Sequence, residues 1–213
     1  MSMRLTSHDF TDQQPIPDIC AFGRPGDAGE PCVFAANRNP HLAWADVPAG
    51  THSFVLMCID TDVPTRADDV NQPGRSVPAD LPRAEFAHWL MVDIPRDCHA
   101  LAHGSCSDGV VAHGKRSPHG PHGARQGRND YTGWFAGDDT MAGDYFGYDG
   151  PCPPWNDERV HHYHFRLYAL DVATLALPAD FTVADVRAAM GRHLLAEAAL
   201  TGTYTLNRAL RRG

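Results

Sequence analysis

Seventeen prolines and nineteen glycines interrupt the 213-residue chain so often that few stretches remain in which a helix of ordinary length could run. The apolar segments between these breaks are short and rich in β-branched and aromatic residues, the pattern of strands joined by turns. The clearest case is SFVLMCID at 53–60, where apolar residues follow one another almost without interruption, as in a strand covered on both faces. A second, FAHWLMVDIP at 86–95, carries a single histidine, His88, near its start. A third, HHYHFRLYALD at 161–171, opens with His161 and Tyr163.

Residues 1–30 read as irregular structure with a turn at GRPGDAGEP, and VPTRADDVNQPGRSVPADLPRAE at 63–85 is too rich in Pro, Asp and Gly for a regular element. A compact fold keeps so long an excursion only over a binding face. One helix is expected near the C-terminal end. Thr182 caps it, Asp185 three residues later completes a capping-box pattern, and Val186, Met190 and Leu194 form an apolar stripe that ends near Gly202. A short strand, TYTL at 203–206, is expected to follow it.

The length suits one substantial hydrophobic core, so 1–213 is expected to be a single domain. A formal charge of −8 argues against nucleic acid or an anionic bilayer as the main partner. No apolar run reaches the roughly 18 residues of a membrane span, and the first residues lack a signal-peptide core, so a cytoplasmic protein without integral membrane contact is expected. The six cysteines form no C-x-x-C pair and read as reduced thiols.

The ends of the three strands supply complementary chemistry. A small anion needs hydrogen-bond donors converging from separate segments, together with backbone N–H groups where glycine lets the chain approach closely. His88, His161, Tyr163 and the loop at Gly150 offer such donors. Asp60 fits this site as an acceptor that orients an imidazole and favours its protonated form. Asp62 reads as a residue that holds the turn before Pro64. His113, His119 and His122 lie among Gly and Pro at spacings that suit no helix or strand face, so they read as loop histidines; no metal and no other cofactor is expected.

The ordered motifs NRNPHLAW at 37–44, DTDVPTR at 60–66, HWLMVDIP at 88–95, GRNDY at 127–131, GYDGPCPP at 147–154 and HHYHFRLYALD at 161–171 resemble those of the phosphatidylethanolamine-binding protein family, and within it the bacterial YbhB/YbcL-like, Raf-kinase-inhibitor-like branch. The resemblance runs from about Phe10 to Asn207. It implies a mainly β fold, an antiparallel β-sandwich with a C-terminal helix packed against it and long pocket-side loops. It also implies a pocket for a small anion or phosphorylated head group, in a protein that acts as a ligand-controlled inhibitor or regulator and not as an enzyme. By this resemblance the family's Asp-x-Asp-x-Pro element falls on Asp60, Asp62 and Pro64, its pocket histidines on His88 and His161, its glycine loop on Gly150 and its following tyrosine on Tyr163. Bacterial relatives imply a homodimer; no protein partner is identified.

Two departures bear on charge. His162 stands where the family usually has an arginine, and Arg83 stands five residues before His88, where animal members have a tyrosine. Arg83 either supplies the missing positive charge for a phosphate or points to solvent. The stretch WFAGDDTMAGDYF at 134–146 reads as an insertion and a candidate lid. The alternative function is a metal-assisted hydrolase using Asp60, His88 and His161. Against it, the sequence offers no nucleophile–base pair and no second carboxylate placed for acid–base work.

Overall fold

The structure is a computed structural model and describes residues 2–116, 118 and 120–211. In chain order its strands are β1 (Arg4–Thr6), β2 (Gln14–Pro15), β3 (Gly23–Arg24), β4 (Val33–Phe34), β5 (Leu42–Ala45), β6 (Ser53–Pro64), β7 (Arg83–Pro95), β8 (Ala100–Leu101) and β9 (Arg125–Gln126). A single-turn helix α1 (Tyr131–Trp134), strand β10 (His161–Leu170), helix α2 (Val183–Met190) and strand β11 (Leu194–Tyr204) complete the chain. The fold is mainly β. Its main sheet has the order β2-β11-β10-β6-β7-β9 and is antiparallel except where β2 runs parallel to β11.

Alternation along β6 explains why the segment is apolar throughout. Phe54, Leu56 and Cys58 pack with Leu5, Leu42 and Trp44 of the small β1-β5-β8 sheet, forming the inside of the sandwich. Val55, Met57 and Ile59 point the other way and are covered by Phe181, Val186 and Met190. Burying an aliphatic side chain of this size stabilises by roughly 1.5–3 kcal/mol, so the two faces of β6 together anchor both layers.

The helix starts as expected. Thr182 and Asp185 form a capping box, and Val186 and Met190 are buried against the sheet. It stops at Met190, however, and residues expected to continue it form β11, paired along β10 from Leu170↔Leu194 to His161↔Tyr204. The segment LLAEAALTG has good helix formers, but β10 offers a whole row of backbone partners. The period-2 pattern then wins, burying Ala198 and Leu200 and leaving Leu194 43% exposed.

The N-terminal thirty residues are also more regular than expected, since Leu5 pairs with Trp44 across β1 and β5 and Gly23–Arg24 forms β3. The excursion is regular at both ends: β6 runs to Pro64 and β7 begins at Arg83, leaving 65–82 as the loop. No helix among the described residues is long and apolar enough to cross a membrane.

Candidate functional site

Two strand irregularities create the site. On β7 the pairs Cys58↔Trp89 and Ile59↔Ala87 leave His88 as an extra residue, a bulge that turns its ring into a cavity at the sheet's end. On β6 the pairs Asp60↔Phe86 and Val63↔Ala84 leave one residue too many around Thr61 and Asp62, and the Asp62 N–H donates back to Asp60 Oδ1 at 2.8 Å. Tyr163 lies directly across from Asp60 on β10, and His161 two residues earlier shares its face.

The cavity has a volume of about 180 Å³. Asp60, His88, His161 and Tyr163 form its polar floor, and all four are at least 97% buried. Pro64, Phe22, Phe86, Tyr131 and Phe135 form its walls, with Phe34, Arg66 and Trp134 at the exposed rim.

His161 is held at both nitrogens. Nδ1 lies 2.7 Å from Asp60 Oδ2 and Nε2 lies 3.1 Å from Asp157 Oδ2. Burial disfavours the charged imidazole, but the Asp60 charge and the hydrogen bonds to Asp157 and Asp60 more than offset it, and the pKa is pushed up to about 9. The ring is therefore an imidazolium at neutral pH, and both of its N–H groups are already used.

Arg83 takes neither of the two courses open to it in the sequence. Its guanidinium is buried and grips Asp157 in a bidentate pair, at 2.6 and 3.0 Å, while also donating to the Asp62, Pro78 and Leu81 carbonyls. Burial works to raise the Asp157 pKa, but the bonds from His161 and Arg83 hold it below the usual carboxylate range. The result is a buried row of alternating charge, Arg83–Asp157–His161–Asp60. Arg83 does not line the cavity because its pairing with Asp157 draws it away.

His88 is arranged differently. Its Nδ1 donates to the Asp149 carbonyl at 2.8 Å, while the Asp149 N–H donates to the His88 carbonyl at 3.0 Å. Burial, its largest influence, depresses the pKa, so the ring is neutral at physiological pH and Nε2 carries the lone pair. Phe86, Tyr131 and Tyr163 surround the ring at centroid distances of 4.9, 5.4 and 5.1 Å and fix its tilt. Behind it, the Asp149 carboxylate accepts from Asn37 at 2.8 Å, Asn129 at 2.9 Å and Lys115 at 2.5 Å. Three of the sequence motifs thus converge on one buried cluster that fixes the His88 acceptor.

Gly150 belongs to this supporting layer and does not line the cavity. Its N–H donates to Asn37 Oδ1, its carbonyl accepts from Tyr131, and a Cβ there would fall 2.1 Å from the Cys20 carbonyl oxygen. The close approach expected of this glycine is real, but it is to backbone.

The Tyr163 hydroxyl is fully buried beside Asp60 and makes no hydrogen bond of normal geometry with any described residue. Burial first, and then Asp60 as both a charge and a nearby acceptor, keep it protonated. A buried, unpaired O–H of this kind is destabilising unless something accepts from it.

Arg66 was legible only as part of the DTDVPTR motif; it reaches the rim and makes no hydrogen bond or ion pair to another described residue. Phe86 could have been found from its i, i+2 relation to His88, and Tyr131 from GRNDY. Asp62 does not hold a turn before Pro64, because β6 runs through that proline; its carboxylate ties the strand to the start of β10 instead, through Arg159 at 3.1 Å and the His162 ring and backbone N–H at 2.8 and 2.9 Å. The stretch 134–146 contributes Trp134 and Phe135 to the cavity, while Met141 and Tyr145 root it in a buried aromatic cluster.

Asp60, His88 and His161 do not converge as a metal face. Among the described residues the one trio whose ligand atoms lie within 4.8 Å of one another is Asp9, Cys20 and His103, away from the cavity. In the histidine-rich loop His113 donates to the Ala142 carbonyl at 2.8 Å and His122 is exposed; His119 lies outside the described residues.

A family profile described as phosphatidylethanolamine-binding protein matches residues 6–205. The protein YbhB of Escherichia coli K12 is 32% identical over 203 residues, covering 95% of this chain and all of YbhB, and YbcL of the same strain is 29% identical over 205 residues, covering 96% and 88%. The crystal structure of E. coli YbcL, described as a new member of the mammalian PEBP family, superposes with a TM-score of 0.67 at 26% identity and covers 96% of this chain and 99% of its own. A phosphatidylethanolamine-binding protein homologue from Chlamydia trachomatis gives a TM-score of 0.60 at 27% identity, covering 95% and 97%.

Proposed function

This chain belongs to the phosphatidylethanolamine-binding protein family, and from that premise we propose that its aromatic-walled cavity binds a small anion or phosphorylated head group without transforming it. The observation that carries this reading is the Tyr163 hydroxyl, buried on the cavity floor beside Asp60 with no hydrogen bond of normal geometry among the described residues. An anionic oxygen is the acceptor it lacks.

The remaining groups narrow the ligand. The buried row of four charges that ends at the floor sums to zero, so a dianion would gain little from it and would meet Asp60 at close range. His88 Nε2 is an acceptor when neutral and asks for a hydrogen. A phosphate monoester monoanion or dihydrogen phosphate supplies both features, one oxygen accepting from Tyr163 and one P–OH donating to His88. Arg66 at the rim adds an exposed positive charge, and the apolar walls suit the carbon atoms of an attached head group.

Loop 65–82 and the Trp134–Phe135 corner form much of the rim. A seated ligand would bridge these loops, which supports a ligand-controlled regulatory role. The hydrolase alternative is weakened because both His161 nitrogens face carboxylates and leave no lone pair for a metal. Calorimetric titration of O-phosphorylethanolamine into the native protein and Tyr163→Phe tests the reading. Binding by the former and a loss of about 10- to 150-fold in the latter supports it, the range for a hydrogen bond to a charged group.

A further inference from the structure

Two thiols from distant parts of the chain meet beside the cavity. Cys32 Sγ and Cys152 Sγ are 3.8 Å apart across 120 residues of sequence, and both are half-buried, whereas Cys20, Cys58, Cys98 and Cys106 are buried. Their meeting is built into the backbone. A Cβ on Gly23 would lie 2.6 Å from the Cys152 sulfur and 2.7 Å from the Cys32 sulfur, so the missing side chain leaves the space that both occupy. Gly23 is paired with Phe34 across β3 and β4, and the Phe22 and Gly23 N–H groups both donate to the Pro151 carbonyl, at 2.9 and 3.2 Å. These bonds hold the chain next to each cysteine against the same glycine.

We propose that Cys32 and Cys152 form a thiol–disulfide exchange site that reacts with a low-molecular-weight disulfide such as oxidised glutathione. The Cys32 thiolate forms a bond to one glutathione sulfur, the glutathione S–S bond breaks, and one glutathione thiolate leaves. Cys152, giving up its proton, then attacks the Cys32 sulfur and displaces the second glutathione. Two protein thiols are oxidised to one disulfide, one glutathione disulfide is reduced to two glutathione molecules, and the two protons pass from the cysteines to the products.

The roles follow from the local electrostatics. The Cys152 S–H contact favours the Cys32 thiolate, outweighing burial, while that contact and burial both push Cys152 up. Cys32 is the attacking thiol and Cys152 the resolving one. The other cysteines are driven the opposite way: burial raises Cys20, Cys58, Cys98 and Cys106. A disulfide needs its sulfurs about 2.05 Å apart, so closure draws Cys152, a wall residue, toward Cys32, which does not line the cavity.

The test treats the reduced protein with oxidised glutathione and maps cysteine-containing peptides by mass spectrometry without reduction. The expected product is a Cys32–Cys152 cross-link with the other four cysteines free. Cys152→Ser is expected to stop at a glutathione adduct on Cys32, and Cys32→Ser to give neither adduct nor cross-link. Six free thiols after treatment of the native protein, or a cross-link that joins any other pair, would overturn the proposal.

Discussion

Asp157 lies 3.1 Å from His161 Nε2 and so occupies the one ring nitrogen of that histidine that Asp60 leaves over. A residue that sequence reasoning cast as an anion donor is instead a buried cation inside a chain of paired charges. Two kinds of chemistry are therefore separated at this site: His161 holds the floor together, and in the proposed reading Tyr163 and His88 are the groups left for a ligand.

This pairing sets a pH dependence of stability. The His161 pKa in the folded protein, about 9, lies above its ordinary value of 6.5. The contribution is thus complete below about pH 6.5 and is lost as pH rises through about 9. The shift corresponds to roughly 3 kcal/mol. Urea unfolding at intervals from pH 6 to pH 9.5 should show stability falling across that window, and Asp157→Asn should flatten the slope. Equal stability at both ends would remove the charged pairing from the account.

Substituting the histidine should be costly for the same reason. His161→Ala leaves Asp60 and Asp157 facing one another in a buried space, and a loss of about 3–5 kcal/mol is expected, the range for breaking a buried ion pair. His113→Ala, in the exposed loop, is expected to change stability by less than about 0.5 kcal/mol. Denaturant midpoints of the two variants make the comparison.

What could be read in the sequence was whatever depends on neighbours along the chain. The strands at 53–60 and 86–95, the capping box at Thr182 and Asp185, and the grouping of Asp60, His88, His161 and Tyr163 at strand ends all follow from local pattern and motif order. The rest depends on contacts that no local pattern encodes. Leu194–Tyr204 is a strand because β10 has an edge to fill, and Arg83 is buried because Asp157, 74 residues away, meets it there. The bulge at His88 needs knowledge of register, which the sequence of one strand does not contain.

The two arginines near the site should behave oppositely. Arg83→Ala strips Asp157 of its bidentate partner and should lower stability by several kcal/mol, with binding affected only through damage to the floor. Arg66→Ala should leave the melting temperature unchanged and weaken anion binding about two- to fivefold at low salt, an effect that fades as salt is added. Thermal melts and titrations at two ionic strengths separate them. Loss of stability in Arg66→Ala would contradict its placement as a free rim residue.

Binding itself should depend on pH through the hydrogen shared between ligand and His88. Because burial keeps His88 neutral, a phosphate monoester must bring that hydrogen, and its second ionisation falls near about pH 6. Affinity for O-phosphorylethanolamine should therefore fall by about tenfold per pH unit above that point, well below the range where His161 titrates. A flat affinity from pH 5.5 to 8.5 would mean that His88 Nε2 takes no hydrogen from the ligand.

The central claim is that the Tyr163 hydroxyl is kept unpaired for a ligand, and Tyr163→Phe tests it by reading two properties of one variant. The ring and its packing against His88 are retained, and only the buried O–H is lost. Stability without ligand should stay the same or rise by up to about 1 kcal/mol, since an unsatisfied polar group has been removed, while affinity for O-phosphorylethanolamine falls by about 10- to 150-fold. Unchanged affinity, or a variant that loses stability as if an internal hydrogen bond had been cut, would contradict it.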